Sequence, residues 1–404
     1  MTAPAAGIRR TRPKNRRDVI LQTAAELFGQ RGYHAVGIDD IGQAVGITGP
    51  AVYRHFATKE DIVMAAIAQN LDRMHAAVTQ IASEPGRGPA AELRSIVEAV
   101  VTSELDDWDF AVVWRREARG LPRERLAEFQ PVRRTIIHLI SDAARAANAA
   151  LTGPDLRMRI EAQHGVLTGL LLFGTKSDSR RHQRLIAEVA ARLLLLDEVP
   201  TVIPRARELL PASSWNRASR REVILGAGVE LFAQRGYRAV GVDDTGNHAG
   251  ITGPSVYRHF DNKEALLIEP MRRMGNLLAI AIGNVLSVEA DPADRLGLLT
   301  GLVLDIAHTS PDLFVVYFTE YHHLGDDERA VYDQNLALVV DEWELLLRQA
   351  RPELSASAAR ALVRGTLGAC IGVTSARDLR QFDLRLPMRR LLGDVQVADE
   401  GQVA

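Results

Sequence analysis

The sequence predicts an all-α protein built from two copies of one helical unit. Three observations predict it. "GITGPAVYRHF" at Gly46–Phe56 returns as "GITGPSVYRHF" at Gly250–Phe260, with only Ala51 exchanged for Ser255. Around that stretch, Arg16–Glu60 and Arg220–Glu264 share 30 of 45 positions at a constant offset of 204, so a whole domain has been duplicated. Helix-forming Ala, Leu, Arg and Glu dominate, apolar residues recur at helical spacing, and no alternating strand pattern of useful length is present.

The chain opens on a basic arm. Arg9, Arg10, Arg12, Lys14, Arg16 and Arg17 fall together with no acid among them. Such a cluster is a local anion-binding candidate or a solvated tail. Ile20, Ala24, Leu27 and Phe28 then mark a first amphipathic helix, broken at Gly32. A short helix over Asp39–Val45 turns Ile41 and Val45 inward and ends at Gly46, where a sharp turn needs a left-handed backbone. Thr48 suits the N-cap of a second short helix, with Pro50 in its first turn. Val52 and Phe56 are four apart and face the core, which leaves Tyr53, Arg54 and His55 off the buried stripe. Thr58 can cap the next helix, with Lys59 at its start and Asp61 at the third position.

This pattern is helix, tight turn, helix, with small residues first and donors later on the second helix. Pro50, Ala51 and the Thr48 methyl can touch thymine methyls, and Arg54 can reach a guanine edge. The Tyr53 hydroxyl, His55 and Lys59 are placed to hold backbone phosphates, which fix register without reading sequence. Gly49 opens that helix. The second copy offers Thr252, Gly253, Pro254, Ser255, Tyr257, Arg258, His259 and Lys263 in the same places. Core packing accounts for keeping Val52 and Phe56 in both copies, but not for keeping Arg54 and His55.

"AAELFGQRGYHAVGIDDIGQAVGITGPAVYRHFATKEDIV" resembles the DNA-binding segment of the TetR family. The resemblance rests on Leu27–Phe28, Gly32–Tyr33, Ile41–Gly42, Tyr53–Phe56 and Lys59–Glu60, and again on Leu231–Phe232, Gly236–Tyr237, Tyr257–Phe260 and Lys263–Glu264. It covers about fifty residues of each half. It implies two TetR-like units in tandem, each a three-helix DNA-binding domain followed by a helical ligand-binding and dimerisation domain. Ordinary family members resemble half of this chain and act as homodimers. The tandem form is similar to that of the actinobacterial repressor of a mammalian-cell-entry lipid-import operon, and it implies an intramolecular pseudo-dimer.

The expected divisions are an arm over 1–13, a first DNA-binding domain over 14–62, a first regulatory domain over 63–197 and a linker over 198–217. A second DNA-binding domain over 218–266, a second regulatory domain over 267–393 and a tail over 394–404 follow. By resemblance, the last two helices of each unit form a four-helix seam, with "GVLTGLLLFG" and "GTLGACIGVTS" as counterparts. Phe110, Trp114 and Phe173 in one half, and Phe314, Tyr317 and Tyr321 in the other, are candidates to line an apolar effector pocket or to be plain core. Arg115–Arg116 opposite Phe318–Thr319 suggests that one pocket is kept and the other lost. The second support helix, with Thr245 for Ile41 and His248 for Ala44, should be the weaker scaffold.

Several function classes receive no support. The longest clean apolar stretch, near Gly165–Gly174, falls short of the ~20 residues of a membrane span, and no secretory signal is expected. The lone Cys370 cannot make an internal disulfide, which fits a reducing cytoplasm. There is no phosphate or dinucleotide glycine loop and no nucleophile elbow, so neither an enzyme nor a cofactor is expected. Metal binding at Glu320–His323 is not expected, because adjacent histidines on a helix point about 100° apart. With the exposed donors of both copies, the resemblance implies a DNA-binding repressor released by a small apolar, lipid-like effector. Its expected partner is double-stranded DNA with two related half-sites. The alternative is a helical ligand-binding or docking scaffold that has given up DNA. A monomeric pseudo-dimer is expected, with further pairing of chains left open.

Overall fold

The computed structural model describes residues 16–33, 35–84, 86–117, 123–151, 153–196 and 219–394. Arg12, Lys14, the expected linker and all but the first residue of the expected tail lie outside them. Twenty α-helices follow one another among the described residues. In the first half these are α1 (Arg16–Arg31), α2 (Ile38–Val45), α3 (Gly49–Val52), α4 (Lys59–Ser83), α5 (Pro89–Asp106), α6 (Trp108–Glu117), α7 (Arg123–Ala127), α8 (Gln130–Ala147), α9 (Gly153–Phe173), α10 (Lys176–Arg181) and α11 (Gln183–Leu195). The second half repeats the order as α12 (Arg220–Arg235), α13 (Val242–His248), α14 (Gly253–Val256), α15 (Ala265–Leu286), α16 (Pro292–Thr309), α17 (Pro311–Thr319), α18 (Asp326–Ala350), α19 (Ala356–Ser375) and α20 (Arg385–Asp394).

The duplication runs past its recognisable sequence. From α5 onward, helix starts recur at an offset of 203: Pro89 with Pro292, and Gly153 with Ala356. The long helix α4 begins in the three-helix head and ends in the body. The division expected at 62–63 therefore falls inside one continuous helix, and α15 crosses the equivalent division at 266–267. Thr58 explains where α4 starts. Its Oγ1 accepts the Asp61 N–H at 3.0 Å while Asp61 accepts the Thr58 N–H at 3.0 Å, a reciprocal capping pair.

The two halves meet where α9 crosses α19. The approach is close because glycines line it. A methyl added at Gly165 would lie 2.3 Å from the Gly368 carbonyl oxygen, and one added at Gly368 would lie 2.1 Å from that of Gly165. Gly169 and Gly372 extend the same contact, and only glycine lets two backbones come this near. Gly165 and Gly368 are equivalent at the 203 offset, so each half presents the same residue to the other, as a two-fold axis requires. Helices α11 and α20 complete a four-helix seam around the crossing. Arg159 is buried in an ion pair with Asp155 at 3.0 Å and also donates to the last carbonyls of α11, at Leu193 and Leu196. At the rim, the Tyr321 hydroxyl donates to the Leu172 carbonyl at 2.8 Å, and Arg157 pairs with Asp378.

Candidate nucleic-acid interface

Each head holds two short helices across a glycine turn. Gly46 sits at φ 74° and Gly250 at φ 71°, the left-handed geometry the sequence called for. The support and reading helices lie so close that a methyl on Gly42 would meet the Ile47 carbonyl oxygen at 2.9 Å. Gly49 is buried against Asp39, and Gly253 against Asp243. Asp39 and Asp243 went unnoticed as buttresses. Their signal was the identical Asp-Asp pair in both copies, whose second members accept the N–H of Gly37 and Gly241.

The reading face projects outward. Val52 and Phe56 are buried, and between them Tyr53, Arg54 and His55 are exposed. Val256 and Phe260 frame Tyr257, Arg258 and a half-buried His259 in the same way. Tyr53 is 54% exposed and Tyr257 56%, too much for a core-rim tyrosine. Pro50 and Pro254 stand in the first turn, with Ala51 and Ser255 half-buried beside them. Thr48 and Thr252 occupy the N-cap positions but make no side-chain cap hydrogen bond. Thr252 pairs instead with the Ser255 hydroxyl at 2.8 Å.

Four cations have a second occupation. Lys59 Nζ lies 4.2 Å from the centre of the Tyr33 ring, and Lys263 Nζ lies 4.0 Å from that of Tyr237. Burial lowers the Lys263 pKa. The Arg17 guanidinium covers Phe56, as Arg221 covers Phe260. These contacts hold the cations beside the reading face.

The candidate pocket residues separate. Phe110 and Trp114 on α6 line a cavity in the first half, between α4, α5, α6, α8 and α9. The cavity proper is small, about 50 Å³. Its other apolar walls come from Ile67, Leu71, Met74 and Ile136. The lining also holds polar groups, Asn70, Glu104, Arg115, Arg133 and His164. Glu104 Oε1 lies 3.5 Å from Arg115, and burial pushes its carboxyl above the usual range. Burial, then the charges of Arg115 and Arg133, lower His164 to about 3, so it is neutral.

Phe314, Tyr317 and Tyr321 are packed as core, the second of the two alternatives the sequence left open, and Phe173 packs beside them. Phe314, Tyr317 and Tyr321 are at most 2% exposed. Tyr321 stacks on Tyr332 at 4.8 Å, Tyr317 lies 4.9 Å from both Phe318 and Tyr332, and Phe314 lies 4.7 Å from Phe318. Aromatic rings fill the place of the first-half cavity. Phe173 crosses the seam and packs on Phe318 and Tyr321 of the other half.

Two short helices over a left-handed glycine, the second offering Tyr-Arg-His to solvent, define a helix–turn–helix DNA-binding protein, here with two such heads. Residues 20–66 and 224–269 each match the family described as bacterial regulatory proteins, tetR family. The chain thus carries two TetR-family DNA-binding segments in tandem, and that family consists of transcription regulators rather than enzymes. Over 99 residues it is 36% identical to the HTH-type transcriptional activator FasR of Mycolicibacterium smegmatis, covering 24% of this chain and 45% of that protein. Over 122 residues it is 33% identical to the HTH-type transcriptional repressor KstR2 of Rhodococcus jostii, covering 29% and 57%. The chain spans about half the length of the curated relatives it matches. Among solved structures, a TetR-family transcriptional regulator from Bordetella parapertussis is similar at a TM-score of 0.40 and 24% identity, covering 44% of this chain and 98% of that one.

Proposed function

We propose that this chain is a transcriptional repressor whose two heads grip one operator of two related half-sites, and which a small effector releases. The observation that carries this reading is the pair of Tyr-Arg-His faces, with Tyr and Arg exposed in both copies, on two halves joined by one glycine seam. A symmetric regulator needs two readers about one helical turn apart, ~34–36 Å along the duplex. Here one chain supplies both and works as a monomeric pseudo-dimer.

In this reading Arg54 and Arg258 take guanine edges, while Pro50, Ala51, Thr48 and their counterparts meet thymine methyls. Tyr53, His55, Lys59 and their counterparts hold phosphates, with Arg17 and the arm residues Arg12 and Lys14 beside them. The finer resemblance, to the tandem repressor of a mammalian-cell-entry operon, is supported by the two DNA-binding segments on one chain. The protein would act in the cytoplasm, where its operator is.

Release needs an effector that binds one spacing of the heads better than another. Helix α4 offers the lever, since it starts at the Thr58 cap beside the first reader and lines the cavity through Ile67 and Met74. Helix α6 offers another, since Arg116 donates to the Gly29 carbonyl of α1 at 3.2 Å.

A nuclease footprint on DNA flanking the protein's own gene tests the proposal. Protection of about 20 base pairs holding two related half-sites is the expected result. Affinity should then fall by roughly 10³–10⁵ between 50 and 200 mM salt. No protection of any sequence selected from a random pool, at low salt, would overturn the proposal in favour of a scaffold that no longer binds DNA.

A further inference from the structure

The first-half cavity has a charged lining that the second half has lost. Arg115 and Arg133 bring two guanidiniums to it. Arg133 lies over Trp114, 5.7 Å from the ring centre, and has no carboxylate within ion-pair distance among the described residues. Arg115 pairs with Glu104 at a loose 3.5 Å, and the charge of Glu161 reaches both arginines from beyond ion-pair distance. The second Glu104 oxygen and the Arg115 Nε are buried without a hydrogen-bond partner among the described residues. Unpaired buried groups of this kind are costly, and a ligand that pairs them recovers that cost on binding. Burial raises the carboxyl pKa of Glu104, and also that of Glu161, whose charge acts on both arginines. The rest of the lining includes the apolar Ile67, Met74, Phe110 and Ile136.

The second half removes each of these groups. At the 203 offset, Glu104 becomes Ala307, Arg115 becomes Phe318, Arg133 becomes Leu336 and His164 becomes Leu367. Phe318 then packs in the aromatic cluster that occupies the space.

We propose that the first half binds an amphipathic organic anion, one per chain, with its charged head between Arg115 and Arg133 and its apolar body against Phe110, Trp114 and Ile136. The head accepts from both guanidiniums, while His164, lacking charge, makes no competing demand. This rests on the effector reading above and adds the ligand's charge and number.

Calorimetric titration of the full chain with decanoate, decyl phosphate and decan-1-ol tests it. Decanoate or decyl phosphate should bind once per chain, and the tighter of the two identifies the head as carboxylate or phosphate. Decanol should bind roughly 10- to 100-fold more weakly, the worth of charge-assisted hydrogen bonds to the head. Arg133→Leu should remove that preference, so that decanoate binds no more tightly than decanol. Equal affinity of decanoate and decanol for the wild-type chain, two anions per chain, or no binding of any of the three would overturn the proposal, and none of these needs a variant to fold. A footprint on the same preparation separates the two ideas. DNA protection without anion binding sinks only this proposal, and anion binding without protection sinks only the operator reading.

Discussion

The two heads show nearly the same face to solvent and are held from behind in different ways. The first has its own core, in which Ile20, Ala24, Ile41 and Val52 pack with Phe110 and Val113 of α6 and with Phe129. The second has Gly228 where the first has Ala24, and a buried Thr245 where the first has Ile41. Its smaller core runs without a break into that of the body. Polar ties support it as well. The Tyr237 N–H donates to Glu320 at 3.0 Å, and Glu230 is shared by His248 and Arg377, each at 3.1 Å. The first head is therefore stiffened by its own interior and leans on a helix that lines a cavity. The second borrows its rigidity from a filled body. Selection on the outward face and relaxation behind it would leave this pattern, and it places the movable support under the first reader.

The largest expected effect tests where the halves agree. Gly165→Ala and Gly368→Ala each drive a methyl into the other half's backbone, which no rotamer change relieves. Each should cost about 3 kcal/mol, the upper range for overpacking, read from the urea midpoint. Gly153→Ala, with open space around it, is the control. Clearly unequal losses at Gly165 and Gly368 would break the two-fold relation. The next effect tests where the halves differ. Arg54→Ala and Arg258→Ala should each weaken operator binding by about 1–3 kcal/mol, with the larger loss at Arg54. Equal losses in a binding titration would show that the smaller core behind the second head has no consequence for reading.

The smallest effect lies in the caps. Thr58→Ala removes a reciprocal pair and should cost about 1 kcal/mol. The second head has Asn262 and Ala265 at those positions, with a single bond from the Ala265 N–H to Asn262 at 2.8 Å. Acid should therefore act on the first cap alone. The Thr58 hydroxyl, then Arg125, hold Asp61 below its ordinary value of 3.8. A carboxyl depressed in the folded state contributes stability above that value, which is lost as pH falls through the folded pKa. Urea midpoints between pH 5 and 2.5 should show this fall, and Asp61→Asn should lack that share of it. Identical pH profiles for the two proteins would remove Asp61 from the account.

The heads were legible in the sequence because tight turns constrain residue type. Gly46, Pro50 and Thr58 each have a local backbone reason that spacing alone exposes. The seam was half legible. The glycines of "GVLTGLLLFG" marked close approach, but their self-opposition at Gly165 and Gly368 needed the fold. The polar lining of the cavity was not legible, since Glu104, Arg115, Arg133 and His164 sit on four helices with no shared period. Nor could spacing tell a lined space from a filled one. Phe110 and Trp114 border a cavity, while Phe314, Tyr317 and Tyr321 pack it shut, and both sets recur at helical intervals.

The crossing of Gly165 over Gly368 has a consequence for inheritance. In a pair of identical chains, one altered codon changes both sides of the axis at once, so any step must be tolerable in duplicate. Here each side has its own codon, and a change at one meets an unchanged neighbour. A fused pair can therefore close one hollow and keep the other, by single steps that a symmetric pair has no way to take.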